Sequence, residues 1–272
     1  MTIRFKGNFL ENYLRVAPAA LAIERCFECE ILSRQDFEPP VLDIGCGDGV
    51  FASVLFDEQV DLGIDPDPDE VEQARKQGCY RKLIQCPGHA IPEADGEFRT
   101  IFSNSVLEHI VEIEPVLVEA RRLLAPGGSF YVTVPSHHFD RFSAGFRLLS
   151  ACGLKGLAER YRHFYDRFWK HYHYYTIDEW RAIFQRAGFR VAAMQAYCPK
   201  NICTLNDLLV PLAFPGLVAK ILTGRWFFFP SIRRVYSPAL TMILKPGIKI
   251  DPDLQDGGML FFTLSHSSTT FQ

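Results

Sequence analysis

Long apolar runs are missing from this 272-residue chain. No stretch reaches the ~18 uninterrupted apolar residues that a spanning helix needs, so the sequence predicts a protein that does not cross a membrane. Charge of one sign is also scarce. A net charge of -3 argues against a wholly basic nucleic-acid binder, because neutralising many phosphates needs an excess of Lys and Arg. Internal repeats and low-complexity tracts are absent, which removes solenoids and disordered arrays. The start, Met1-Thr2-Ile3-Arg4-Phe5-Lys6, runs into Gly-Asn and not into an apolar segment, so a signal sequence is not expected. Cys26 and Cys29 have the spacing of metal ligands, yet no second pair or histidine follows at zinc-ribbon distance. The eight cysteines are therefore read as reduced, largely buried thiols, the protein as cytoplasmic, and no metal site is assigned.

What is present is a chain able to bury a large core: 48% of its residues are apolar and 13% aromatic. Apolar positions recur at helical spacing through Leu14, Ala17, Leu21, Ile23, Phe27 and Ile31, and Pro39-Pro40 stops the pattern. From Val41 strands and helices alternate. Strands are expected at 41–44, 60–64, 80–84, 98–102 and 129–134, with helices at 50–56, 69–77 and 114–124. Alternation of this kind builds a mostly parallel, doubly wound α/β sheet, with ligands at the carboxyl ends of its strands.

The chain divides into an amino-terminal helical segment (1–38), a core (39–135), a cap insertion (136–176), a core helix and sixth strand (177–197), a hydrophobic and basic insertion (198–257), and a closing strand with a tail (258–272). The second insertion, roughly sixty residues, far exceeds an ordinary loop and is expected to have structure of its own.

Chemistry concentrates in Asp43-Ile44-Gly45-Cys46-Gly47-Asp48-Gly49. Glycines at alternate positions let the backbone bend sharply and leave no Cβ between the chain and a ligand at the following helix start. Asp65 stands at the end of the second strand, where a carboxylate can accept from both hydroxyls of a ribose. The pair specifies an adenosine-bearing ligand. A dinucleotide fingerprint places its third glycine one position later, where this chain has Val50, and no Tyr-x-x-x-Lys pair occurs. An NAD-dependent oxidoreductase is therefore the weaker reading.

The Asp-x-Gly-x-Gly-x-Gly loop resembles the first motif of the class I S-adenosylmethionine-dependent methyltransferases of small-molecule type. Three further segments resemble that family: Ser103-Asn104-Ser105-Val106-Leu107-Glu108-His109-Ile110 after strand four, Leu123 to Gly128 before strand five, and Trp180 to Val191 with Ala187-Gly188-Phe189. The resemblance covers about half the chain and implies a seven-stranded Rossmann-like methyltransferase fold, with S-adenosylmethionine as cofactor and S-adenosylhomocysteine as product. It implies that Asp43 lies near the methionine end, that Gly45, Cys46 and Gly47 form the floor, and that Asp65 holds the ribose. Pro66 would pack on the adenine edge, with Gly88, beside Pro87, and His89 nearby. Ser103 and Asn104 would approach the methionine portion.

His109, His137 and His138 are the candidate bases, the last two because they follow the fifth strand directly. From Leu208 to Ile250 stand Lys220, Arg225, Arg233, Arg234, Lys245 and Lys249 with no acid, beside Leu208-Leu209-Val210, Leu212, Phe214 and Trp226-Phe227-Phe228-Phe229. Such a mixture suits peripheral contact with an anionic membrane. The expected reaction is methyl transfer to a small organic or lipophilic, lipid-linked acceptor. A non-catalytic module holding S-adenosylhomocysteine is the alternative.

Overall fold

The computed structural model describes residues 2–223, 226–227 and 230–267. Two helices lead, α1 (Phe9–Val16) and α2 (Ala19–Leu32). There follow β1 (Val41–Ile44), α3 (Val50–Leu55), β2 (Val60–Asp65), α4 (Pro68–Gln77), β3 (Tyr80–Gln85), β4 (Phe98–Asn104), α5 (Ile113–Leu123) and β5 (Leu124–Pro135). The cap contains α6 (Ala144–Ala151) and α7 (Lys155–Trp169), and α8 (Ile177–Arg186) leads into β6 (Phe189–Pro199). The second insertion is helical, with α9 (Lys200–Thr223) and α10 (Pro230–Leu244), and β7 (Gly257–His266) closes the fold.

Local sequence explains several of these boundaries. Asp67 caps α4 by accepting from the Asp69 N–H, Pro68 occupies its first turn, and Gly78 ends it in the left-handed conformation. Thr176 and Glu179 form a reciprocal capping box that starts α8. Strand β5 begins five residues before the expected Ser129, with a register irregularity opposite Phe98 and Thr100.

The seven strands form one sheet in the order β3-β2-β1-β4-β5-β7-β6. The pairs through β5 are parallel, whereas β7 runs antiparallel to both β5 and β6. All four residues of β1 are buried, as a central strand covered on both faces requires. One face packs Leu42, Ile44, Ile101 and Val132 against Leu117 of α5 and Trp180 and Phe184 of α8. The other packs Val41, Phe102 and Tyr131 against Phe27 and Ile31 of α2.

This topology decides where the insertions sit. Strand β6 runs parallel to β5, so α9 leaves the sheet at its carboxyl edge and β7 re-enters there, the Ser136 N–H donating to Gly258 O. The cap leaves from the same edge after Pro135, so both decorations cover the ligand side of the sheet. Helix α9 over 200–220 is long and apolar enough to cross a membrane by length and composition, a property that Asn206, Asp207 and Lys220, which bound its apolar stretch, hid from a search for uninterrupted runs.

Trp180 is fully buried and its indole Nε1 donates to Pro135 O at 3.2 Å, joining α8 to the end of β5. Trp180→Ala should destabilise the fold by about 3–5 kcal/mol, read as a lower denaturant midpoint.

Candidate active site

The loop after β1 turns at Gly45 and Gly47, with φ of 81° and 50°. The Gly45 and Cys46 N–H groups both donate to Ile64 O at 2.9 Å, folding the loop across the end of β2. A Cβ at Gly45 would lie 2.5 Å from the Val106 methyls, so only glycine fits. At Gly47 it would meet nothing nearer than Glu70 Oε2 at 3.9 Å, which leaves one face of the loop open. Asp65 fixes this shape: its carboxylate accepts from the Gly47 N–H at 3.0 Å and the Asp67 N–H at 2.9 Å.

A cavity of about 540 Å³ opens above the loop. Gly45, Cys46 and Gly47 form its floor, with Asn104 and His109 beside them. Leu21, Glu24 and Arg25 of α2 make one wall. Phe139, Tyr165, Trp169 and His171 of the cap make another, and Asn206, Asp207, Val210, Ala213 and Lys220 of α9 a third.

Other residues named from sequence fall elsewhere. Asp43 lies beneath the loop, buried, accepting from the Tyr80 hydroxyl at 2.6 Å. Asp65 is half-buried and Pro66 exposed, and neither lines the cavity. Gly88 packs against Val116, where a Cβ would come within 3.1 Å. Ser103 is turned into the sheet, its hydroxyl donating to Ile44 O at 3.1 Å; side-chain alternation along β4 leaves Asn104 as the one that meets the cavity. His137 and His138 pack on each other with centroids 3.8 Å apart, and His138 Nε2 lies 3.3 Å from Asp256. Neither histidine lines the cavity, because the chain after Pro135 turns toward Gly257 and Gly258.

Sequence reasoning missed the α2 contribution. Glu28 is fully buried yet well partnered: it accepts from Arg25 at 2.7 Å, from Asn104 Nδ2 at 2.7 Å and from the Ser105 hydroxyl at 2.8 Å. The signal was available as four charged residues, Glu24, Arg25, Glu28 and Glu30, in a helix otherwise made of apolar positions. It also missed Glu108, whose side chain is buried and whose Oε2 has no hydrogen-bond partner among the described residues.

Burial pushes the carboxyls of Glu24 and Asp43 up to about 7 and that of Glu108 up to about 8. Burial lowers His109, and burial together with the neighbouring His109 lowers His171 to about 3. Both rings are therefore neutral at ordinary pH. The His109 Nδ1 lies 3.2 Å from Lys170 O, and a ring nitrogen facing a carbonyl carries the proton, so Nε2 keeps its lone pair.

A 3-2-1-4-5-7-6 sheet, with a glycine bend after the first strand and an acid at the end of the second, defines the class I S-adenosylmethionine-dependent methyltransferase fold. The chain belongs to the methyltransferase-domain family, whose model matches residues 10–193. It is similar to the malonyl-[acyl-carrier protein] O-methyltransferase of Geobacter sulfurreducens, 28% identical over 168 residues that make up 59% of each chain. A 37.1 kDa protein of transposon TN4556 from Streptomyces fradiae is 30% identical over 120 residues, 41% of this chain and 35% of that one. The chain spans about a third to a half of the curated relatives it first matches. Among solved structures, a SAM-dependent methyltransferase from Thermotoga maritima superposes with a TM-score of 0.57 at 16% identity, covering 91% of both chains. The [4+2]-cyclase SpnF superposes at 0.56 with 14% identity, covering 98% of this chain and 87% of its own. At these identities the likeness is one of fold alone, and the cyclase shows that the fold does not dictate the reaction.

The buried carboxyls predict a pH dependence. Each binds its proton more tightly folded than unfolded, so its contribution is full at low pH and is lost as pH rises through the folded pKa. His171 works the other way, but its contribution is complete above its unfolded value of 6.5. The ligand-free protein should therefore lose stability between pH 6.5 and about 8.5, as a falling urea midpoint, and Glu108→Gln should flatten the decline.

Proposed function

We propose that this chain transfers a methyl group from S-adenosylmethionine to an oxygen or nitrogen atom of a lipophilic acceptor drawn from an anionic lipid surface. The observation that carries this reading is the cavity: a bare glycine floor at one end, and around the rest aromatic and aliphatic side chains (Leu21, Phe139, Tyr165, Trp169, Val210, Ala213) interspersed with charged and polar ones. The residues fit the cofactor. The open face of Gly47 is a cradle with no Cβ in it, and the unpartnered Oε2 of the buried Glu108 lies in the same cavity, where an occupant can give it the partner it lacks.

When bound, S-adenosylmethionine supplies the methyl on a sulfonium that already carries the driving force for transfer. The protein then has two tasks, positioning and proton removal. Asp65 is held by two backbone N–H groups through one lone pair on each oxygen, which leaves the others for the ribose hydroxyls. Gly45, Cys46 and Gly47 would support the methionine portion. His109 offers a neutral Nε2 to take the acceptor's proton. Phe139, Tyr165 and Trp169 enclose the acceptor and keep water out.

Two features favour a lipophilic acceptor. Helix α9 lines the cavity with one face and leaves Leu205, Leu208, Leu212, Phe214 and Val218 exposed on its outer side; Val235, Met242 and Ile243 of α10 are exposed as well. Lys245 and Lys249 are exposed next to them. A second support is the Geobacter relative, which is named for an acceptor tethered to a carrier. The basic charge is smaller than the sequence suggested. Lys220 turns inward to Asp48 at 3.0 Å, and Arg233 donates to Leu14 O and lies over the Phe227 ring. Arg225, Phe228, Phe229 and the Arg234 side chain lie outside the described residues.

Titration calorimetry should give binding of S-adenosylmethionine and S-adenosylhomocysteine and none of NAD; binding of NAD alone would return the oxidoreductase reading. Asp65→Ala should weaken S-adenosylmethionine by about 1–3 kcal/mol, the scale of a lost charge-assisted pair, and an unchanged affinity removes the ribose role. In sedimentation with vesicles containing anionic lipid, the wild type should pellet and the Leu212→Glu, Phe214→Glu double variant should stay in solution. If the two behave alike, the membrane part of the proposal fails. Transfer of labelled methyl to a lipid extract tests the reaction itself.

A further inference from the structure

We infer that Glu108, His109 and His171 form a site for a divalent transition metal, Zn2+ by donor chemistry, with an open coordination position facing the acceptor end of the cavity. One donor atom from each residue lies within 4.8 Å of the others. Two imidazoles and one carboxylate make a donor set suited to zinc, and three protein ligands leave the fourth position for a water or a substrate.

The outer partners of the histidines match what a metal requires. His109 has Nδ1 against Lys170 O at 3.2 Å, and His171 has Nδ1 against the Tyr174 hydroxyl at 3.0 Å. Each ring is thereby oriented through one nitrogen, which leaves Nε2 as the ligand atom, the arrangement by which outer partners set tautomer and basicity in metal sites. The rings touch, with centroids 4.8 Å apart, so they are held together without a bond between them. Glu108 supplies the independent observation. It is 1% exposed and its Oε2 has no partner among the described residues, a costly state for a buried polar atom unless an occupant of the cavity meets it. Arg25 also lines this cavity, but its guanidinium is engaged by both oxygens of Glu28.

All three residues line the cavity that holds the glycine floor. A metal there would bind the acceptor's oxygen or nitrogen and lower its pKa, so that its proton passes to solvent water before the methyl is transferred, and would aim it toward the donor, with His109 serving as ligand in place of base. That use rests on the methyl-transfer reading; the binding of metal does not.

The test separates the two. The 272-residue chain is dialysed against chelator, then titrated with ZnCl2 by calorimetry, and its metal content is measured after desalting. One equivalent is expected, and Co2+ in its place should give the intense visible bands of a four-coordinate site. His171→Ala should weaken Zn2+ by at least about 100-fold, whereas Tyr174→Phe, which removes no ligand but an outer partner that also bonds Asp166, should cost roughly 10- to 100-fold. His163→Asn, exposed on the cap, should bind as the wild type does. Circular dichroism and S-adenosylmethionine affinity, both unchanged in His171→Ala, report that the fold and cofactor site persist. No heat and no retained metal in the wild type would overturn the inference, as would His171→Ala binding Zn2+ with wild-type affinity. Loss of S-adenosylmethionine binding in the wild type would instead strike the methyl-transfer reading and leave the metal result standing.

Discussion

The cavity wall depends on one buried carboxylate. Taking Glu28 out of water costs several kcal/mol, and only dense pairing offsets that cost. Its partners come from three places: Arg25 on its own helix, Asn104 and Ser105 at the end of β4, and the Tyr197 hydroxyl of β6 at 3.4 Å. Each partner is needed for the others to be tolerable. Losing Glu28 would strand the Arg25 guanidinium beside the cavity and free the Asn104 amide that faces it. The leading helices are thus part of the site, although the glycine loop lies in the core that follows them.

Much of the core was legible because its signals are local. The glycine bend, Asp65, the strand alternation and the capping of α4 and α8 are set by residues within a few positions of one another, and they fix the sheet through β5. The resemblance in the segment from Ser103 to Ile110 found the neighbourhood but not the parity. Ser103 and Asn104 differ by one position, and that step decides between a hydroxyl bonded inside the sheet and an amide facing the cavity. His137 and His138 stand at the correct edge, yet the turn toward β7 sends His138 to Asp256 and Phe142, with His137 packed on its ring.

The rest of the site is built from distant pairs, which no local pattern announces. Glu28 reaches Asn104 across 76 positions, His109 meets Lys170 across 61, and Lys220 meets Asp48 across 172. His171 was visible only as one aromatic among many in the cap. What brings it to His109 is the bend after α7, where Lys170 adopts a positive φ of 55° and presents its carbonyl to the imidazole. The cap and the strand-four segment therefore shape each other, and the donor cluster exists only in their contact.

The same long-range logic bears on how α9 would meet the lipid surface proposed above. The helix cannot lie across a bilayer while it does its work at the cavity, because Asn206, Asp207 and Lys220 hold it to the site, the last through Asp48 on the glycine loop. Its apolar outer face is then free for a monolayer, and the magnitudes say which force dominates there. Lys245 and Lys249 contribute about 1 kcal/mol each toward anionic lipid. Fully burying one side chain such as Leu212 or Phe214 contributes about 1.5–3 kcal/mol. With several such residues on the outer faces of α9 and α10, insertion would outweigh charge in the proposed attachment even if each were only partly covered. Salt should weaken attachment modestly, while replacing the apolar tips should abolish it. The recruitment of Lys220 and Arg233 into the protein, which thinned the basic surface, is also what fastens the insertion over the cavity it walls.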